Sequence, residues 1–252
     1  MTSLPKLLVV LGGVLPSCSS TGVGNPGVAT QSLSISSDSE PEPGATDATE
    51  QLDPTNVRHA MLVFGKIRYL PCDAAEDDAV VAGPILVDLA TNRVEPEIGA
   101  VDIPSHGFCG IDATLAPATA PPAMAGRSMF FSGLRSDGTL FLLFADMPGT
   151  LRMRPLDGIT WPADGNRDWL WKLRPRRWLT PTELDAATAA TLNGVDQVIP
   201  IDVNRYPVLY EAIRNRLARR SSLHVDLNDN HRLDADERLG EAVIGQGLDS
   251  IE

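Results

Sequence analysis

The densest group of candidate metal ligands in the 252-residue chain lies in the segment DLNDNHRLDADE, residues 226–237. Oxygen-bearing side chains occupy positions 1, 3, 5, 9 and 12 of this segment, namely Asp226, Asn228, Asn230, Asp234 and Glu237. Calcium takes six to eight oxygen ligands from carboxylates, amides and backbone carbonyls, on a loop flexible enough to wrap the ion. The spacing therefore predicts a Ca²⁺ site.

The segment resembles an EF-hand calcium loop at every liganding position. The resemblance implies that Arg232 contributes its backbone carbonyl, that Asp234 acts through water, and that Glu237 closes the coordination sphere with both carboxylate oxygens. Leu233 falls where this family has an anchoring aliphatic residue. The family has Gly at position 6, where this chain has His231, and the left-handed backbone expected there costs a residue with a Cβ about 1 kcal/mol.

The loop has no second copy to pair with in the sequence. The nearest candidate, residues 164–175, has Pro where the closing Glu is required. An isolated loop with two neutral Asn ligands predicts a dissociation constant of about 10⁻⁵ to 10⁻³ M, as in extracellular modules. The competing interpretation is an acidic turn between two helices, whose carboxylates simply cap the second helix.

The N-terminal residues have the pattern of an export signal. Lys6 precedes an apolar run at 7–15, which is too short to span a bilayer and predicts a signal peptide over residues 1–17. Residues 15–18 resemble the lipobox of bacterial lipoproteins, which implies that Cys18 is acylated and becomes the mature N-terminus. The alternative is an ordinary signal peptide followed by an incidental cysteine.

Residues 18–56 have the composition of a flexible linker. The stretch 19–56 has six acidic residues, no Lys or Arg, and abundant Ser, Thr, Gly and Pro, so it is predicted to be a disordered acidic linker. A lipid anchor at Cys18 followed by such a linker suits display at a membrane surface. Because Ser19 is not the Asp that favours inner-membrane retention in that family, the resemblance implies attachment to the bacterial outer membrane or cell surface. In that oxidising compartment Cys72 and Cys109 are predicted to form a disulfide, with two separate buried thiols as the alternative.

The patterning between residues 57 and 200 predicts an antiparallel β-sandwich. Runs rich in β-branched and aromatic residues lie at 59–70, 84–89, 107–117 and 129–144. Asp137 and Gly138 are predicted to form a two-residue type I′ hairpin turn. Thr180 and Glu183 are spaced as a capping box, which predicts a short helix to about Ala190.

The segment 201–252 is predicted to be helical and to carry the calcium loop. Leu209, Ile213 and Leu217 recur at four-residue spacing, as on one face of an amphipathic helix that ends just before the loop. Residues 237–245 are predicted to pack back as a second helix. The expected fold is therefore mainly β, an antiparallel sandwich with a C-terminal helix–loop–helix, or α+β overall.

Three of these runs, 59–70, 84–89 and 107–117, together with DWLWKLRPRRWL at 168–179, resemble a family of bacterial lipoproteins. Members carry a β-sandwich domain of unknown function. The resemblance covers roughly residues 57–180 and implies the fold and the envelope location. It implies no activity, because the family has no established catalytic residues.

The net charge of −12 argues against nucleic acid as a partner, since phosphate binding needs a basic face. The sequence lacks a G-x-S-x-G elbow, an HExxH helix, a phosphate loop and a dinucleotide fingerprint. A hydrolase using calcium as Lewis acid would need an open cleft beside the loop and a base, for which the sequence supplies no candidate. The expected function is a non-enzymatic, membrane-anchored calcium-binding protein in which calcium is structural.

The tryptophans support one alternative function. Trp169 and Trp171 fall on one face of a strand, with Trp178 nearby, and an exposed stripe of this kind could stack against sugars. The alternative is therefore a surface carbohydrate- or protein-binding module. Burial of these side chains in a sandwich core is the favoured interpretation.

Overall fold

The computed structural model describes residues 29–38, 56–104, 106–156, 161, 168–192, 194–238, 242–248 and 251. The predicted signal peptide and Cys18 lie outside these residues. Strands dominate the described part of the chain, and they are β1 Thr30–Gln31, β2 Leu33–Ser37, β3 Asn56–Pro71, β4 Ala79–Asp88, β5 Arg93–Glu95, β6 Val101–Asp102, β7 Phe108–Leu115, β8 Met129–Leu134, β9 Leu140–Ala145, β10 Gly149–Pro155, β11 Trp169–Leu173, β12 Ala190–Leu192, β13 Val195–Ile201, β14 Ser221–Val225 and β15 Val243–Gly247. The α-helices are α1 Pro181–Asp185 and α2 Pro207–Arg219.

The strands form one large mixed sheet in the order β12-β13-β9-β8-β3-β7-β10-β15-β14-β11-β2, with β4 beside β3 and β5 beside β4. β1 and β6 form a separate pair. The mainly β class is confirmed, but the predicted antiparallel sandwich is corrected to a curled mixed sheet. Two pairs, β13 with β9 and β11 with β2, are parallel, which is possible because their strands lie far apart in sequence and no hairpin imposes an antiparallel direction.

The curl of the sheet begins in the long strand β3. β3 pairs with β8 over Asn56–Leu62 and with β7 over Phe64–Pro71. Gly65 lies at the register shift between the two halves, where a Cβ would come within 2.7 Å of the Ala116 side chain. A strand that changes partners at such an irregularity turns a corner, so one strand belongs to both walls of the core.

Aromatic side chains fill that core. Trp169, Trp171 and Trp178 are fully buried, which confirms the favoured interpretation of these residues. The Trp171 ring lies 5.8 Å from that of Phe64, and the Trp178 ring lies 5.2 Å from that of Phe131, centroid to centroid. These tryptophans are therefore core residues that join β11 and the following turn to β3 and β8.

Several local predictions are confirmed. Cys72 and Cys109 form a disulfide, with a Cα–Cα distance of 4.8 Å, that joins the end of β3 to the start of β7. Thr180 and Glu183 form the predicted capping box, in which the Glu183 N–H donates to Thr180 Oγ1 (3.3 Å) and the Thr180 N–H donates to Glu183 Oε2 (2.8 Å). The helix that they begin is shorter than predicted, since α1 ends at Asp185.

The β8–β9 hairpin also forms, but its turn differs from the prediction. Leu134 pairs with Leu140, which leaves a five-residue loop in which Gly138 has a positive φ of +85°. Asp137 caps this loop by accepting the Thr139 N–H at 2.9 Å. The Asp-Gly signal therefore marked the hairpin correctly and the type I′ geometry incorrectly.

Part of the predicted linker is folded. Residues 29–38 form β1 and β2, and β2 pairs in parallel with β11 in the register Leu33 to Trp169. Leu33 and Ile35 alternate inward and are buried, although serines surround them in the sequence. The other linker residues, apart from Asn56 in β3, lie outside the described part of the chain.

The C-terminal segment contains the predicted amphipathic helix in a different setting. Leu209, Ile213 and Leu217 are buried on one face of α2 as predicted. However, β14 stands between this helix and the calcium loop, and β15 occupies Val243–Gly247, within and beyond the region predicted as a second helix. The loop is thus preceded by a strand, because β14 is held between β11 and β15 in the sheet.

Candidate metal loop and the groove beside it

The predicted calcium loop leaves the sheet at the end of β14. Its first and last predicted ligands are buried, with Asp226 exposed at 0% and Glu237 at 1%, while its middle is exposed to solvent. The Asp226 N–H donates to the Asp168 carbonyl oxygen at 2.8 Å, which continues the β14–β11 pairing by one residue. The sheet therefore fixes the start of the loop.

The Asp226 carboxylate organises the first half of the loop. Its Oδ1 accepts the N–H groups of Asn228 and Asn230, both at 3.3 Å, and its Oδ2 accepts the His231 N–H at 2.7 Å. His231 has a positive φ of +58°. The left-handed turn predicted at position 6 is thus present, on a residue type that tolerates it better than most.

The Glu237 carboxylate closes the loop from its other end. Oε1 accepts the N–H of Leu227 at 2.7 Å, and Oε2 accepts the N–H of Asp234 at 2.9 Å. This buried side chain thereby ties the last ligand position to Leu227, the residue that follows the first ligand. In this arrangement both Glu237 oxygens are bound to backbone donors, and each retains a lone pair that could face an ion.

The exposed ligand side chains bind one another. Asn228 and Asn230 donate from Nδ2 to Asp234 Oδ2, at 3.0 and 2.8 Å, and these two bonds lower the pKa of Asp234. Among the described residues, no three His, Cys, Asp or Glu side chains are grouped closely enough to hold a metal ion. These residues carry the oxygen donors that calcium requires. Because the two amides and Asp234 are hydrogen-bonded to one another, calcium binding requires their side chains to turn inward.

A buried charge cluster connects the loop to β2. The Arg238 side chain, next to Glu237, donates from one nitrogen to both oxygens of Asp38 at 2.7 Å. Arg174 Nε lies 3.5 Å from the same carboxylate, which is 1% exposed. The end of the N-terminal strand is thereby tied to the residue that follows the last predicted calcium ligand.

A groove of about 1160 Å³ runs between the loop, β2 and the β4–β5 region. Its walls are residues 32–37, 91–98 and 230–233, with Asp168, Lys172 and Arg238. Lys172 was not among the residues predicted from the sequence. The available signal was a lysine in the middle of the apolar run WLWKL, where a charge has to find a partner or lose its proton.

The aromatic residues that suggested a sugar-binding surface are unsuited to it. Trp169 and Trp171 are fully buried, so neither ring is open to a ligand. An exposed aromatic column does exist on the outer face, where Phe130 stacks on Phe144 at 4.3 Å and on His59 at 5.5 Å. The guanidinium of Arg127 lies 4.9 Å over the Phe144 ring, so the rings of this column already cover one another's faces. The alternative function therefore loses the residues on which it rested.

No protein-family model, curated protein sequence or solved structure shows significant similarity to the chain. In the part of the chain that the structure describes, no helix is long and apolar enough to cross a bilayer.

Proposed function

We propose that this chain is a calcium-binding protein of the bacterial cell envelope, held at the membrane through a lipid on Cys18. The observation that supports calcium binding is the closure of the loop, in which buried Asp226 and Glu237 hold its two ends around a left-handed residue at position 6. Calcium would mainly stabilise this loop against β14 and β2. The location rests on the sequence of residues 1–56 alone.

Calorimetric titration of calcium into the purified full chain tests the binding site. We expect a dissociation constant of about 10⁻⁵ to 10⁻³ M. Glu237→Gln should abolish binding, because it removes the carboxylate assigned to close the coordination sphere. Asp236→Asn is the matched control, since it removes one negative charge from an exposed neighbour without removing a predicted ligand.

Thermal unfolding supplies the second readout. At free calcium of 100 times the dissociation constant, a ligand that binds only the folded state stabilises it by about 2.7 kcal/mol. Unchanged heats and melting curves on adding calcium or EDTA would contradict the site, as would equal binding by wild type and Glu237→Gln. Incorporation of a labelled fatty acid, lost in Cys18→Ser, tests the anchor separately.

A further inference from the structure

The groove wall contains a buried lysine in contact with a serine. Lys172 is 2% exposed, and its Nζ lies 2.5 Å from Oγ of Ser36 on the neighbouring strand. The parallel register places these two residues opposite each other, so both side chains leave the same face of the sheet. Among the described residues Ser36 is the only hydrogen-bonding partner of the Lys172 side-chain nitrogen. An ammonium group with three donors and one partner is poorly satisfied.

The surroundings of Lys172 favour the neutral amine. Burial lowers the pKa of Lys172 to about 8, and the Arg238 charge acts in the same direction. Asp38, which directly follows β2, and Glu237 and Asp226 in the calcium loop act in the opposite direction. Asp38 is already bound by two arginines, and among the described residues no carboxylate forms an ion pair with Lys172. About a tenth of the amine is therefore unprotonated at pH 7, and this fraction, which grows as the pH rises toward 8, can accept a proton.

Among the strands that the structure describes, none pairs with the second edge of β2, which lies beside this pair. The Trp169 N–H donates to the Ser32 carbonyl and the Asp38 N–H donates to the Leu173 carbonyl, at 3.0 and 2.8 Å. Even-numbered residues of β2 therefore pair with β11, and the backbone groups of Leu33 and Ile35 point away from β11 toward the groove. Ser36 and Lys172 line the same groove.

The opposite wall of the groove is the segment 91–98, which includes the edge strand β5. At one end Asn92 accepts hydrogen bonds from the Ser37 N–H (2.8 Å) and the Ser37 hydroxyl (2.9 Å), which joins the two walls. Extended chains bind proteins by adding a strand to such an edge, with backbone hydrogen bonds supplying the alignment. The groove thus suits an extended peptide.

We propose that Ser36 is a nucleophile and Lys172 its general base, in a site that hydrolyses an amide or ester bond of an extended chain aligned along the free edge of β2. Pairs of serine and lysine perform this chemistry in place of the serine–histidine pair. The open cleft and the base that the sequence did not reveal are thus both present beside the loop. This inference does not depend on calcium binding.

In the first half of the reaction, Ser36 Oγ attacks the carbonyl carbon while its proton passes to Lys172 Nζ. The new C–O bond forms and the carbonyl electron pair moves onto oxygen. Collapse of this tetrahedral intermediate breaks the bond to the leaving amine or alcohol, which departs with the proton from Lys172.

In the second half, water attacks the acyl ester on Ser36 while Lys172 accepts a proton from it. Collapse returns that proton to Ser36 Oγ and releases a carboxylic acid. One water molecule is consumed for each bond cleaved, and no other reactant is needed.

A fluorophosphonate reagent, which forms a stable ester with nucleophilic serines, tests the site on the full chain in EDTA. We expect one adduct, mapped to Ser36 by peptide mass spectrometry, at a rate that rises with pH toward a plateau above pH 8. Lys172→Met should slow labelling by about 100-fold or more, the usual contribution of a general base. Ser136→Ala is the matched control, because Ser136 is an exposed serine in the β8–β9 loop, outside the groove, and its replacement should leave labelling unchanged.

A p-nitrophenyl acetate assay adds a second readout, a burst of one p-nitrophenolate per chain that Ser36→Ala removes. Wild-type protein that gains no adduct at Ser36, or gains it equally with Lys172→Met, would overturn the proposal. Because absence of an adduct in the wild-type protein is enough to overturn the proposal, the test remains valid even if a variant folds poorly. Since the reagent is used in EDTA, failure of the calcium proposal would leave this outcome unaffected.

Discussion

Replacing Lys172 by Met should stabilise the protein at neutral pH. The folded state lowers the pKa of Lys172 from 10.5 to about 8, mainly by burial, and this difference corresponds to about 3 kcal/mol. Losing the hydrogen bond to Ser36 should cost about 1 kcal/mol. We therefore expect the variant to be more stable than wild type by about 2 kcal/mol at pH 7.

The pH dependence makes this prediction specific. Between pH 8 and pH 10.5 the unfolded chain carries a proton on Lys172 that the folded protein has released, so the free energy of unfolding of wild type should rise with pH. The loss of folding stability caused by burying the protonated lysine is complete below pH 8 and absent above pH 10.5. The advantage of Lys172→Met should shrink across this window.

Urea unfolding of both proteins from pH 6 to pH 10 measures this difference. Lys66→Met is the control, because Lys66 is exposed on β3 and its replacement should change stability by no more than about 0.5 kcal/mol. A Lys172→Met protein less stable than wild type at pH 7, or a stability difference that does not vary with pH, would refute the reasoning. The confirmed result would identify a side chain kept at a cost in stability, as expected of a functional group.

Three further outcomes follow from the structure. His231→Gly should stabilise the protein by up to about 1 kcal/mol in urea unfolding, because glycine adopts the positive φ without strain, and unchanged or lower stability would contradict this. Asp38→Asn should destabilise by about 3 kcal/mol, since it leaves two arginine charges beside a buried amide; a thermal midpoint equal to that of wild type would show the cluster to be unimportant. Replacing Cys72 and Cys109 by Ser opens a 37-residue loop and should cost about 4 kcal/mol in chemical unfolding, whereas equal stability of reduced and oxidised wild type would argue against that estimate.

The features that could be predicted from the sequence are those with local causes. The capping box at Thr180 depends on residues three apart, and the buried face of α2 on a four-residue period. The hairpin at Asp137 and Gly138 was marked by its turn residues, although the geometry of the loop also depends on the pairing that flanks it. The pairing of the two cysteines followed from their number and their expected compartment.

The features that could not be predicted depend on contacts between distant residues. Residues 33–37, LSISS, have the composition of a linker, and they form a strand because they pair with β11. Ser36 and Lys172 are separated by 136 residues, so no motif joins them. The loop ligands were predicted as a set because they are adjacent in sequence, whereas the strand before them depends on the sheet.

The ion pair between Asp38 and Arg238 also constrains when the molecule can finish folding. The two residues are 200 positions apart. Protein chains emerge N-terminus first at roughly 5–20 residues per second, so about 10–40 s pass between the synthesis of the two partners. During that time the part of the core that buries Leu33 and Ile35 is incomplete. One of the first segments to be made is therefore among the last to be buried, and a chain interrupted before β11 would leave β2 without the strand that it pairs with.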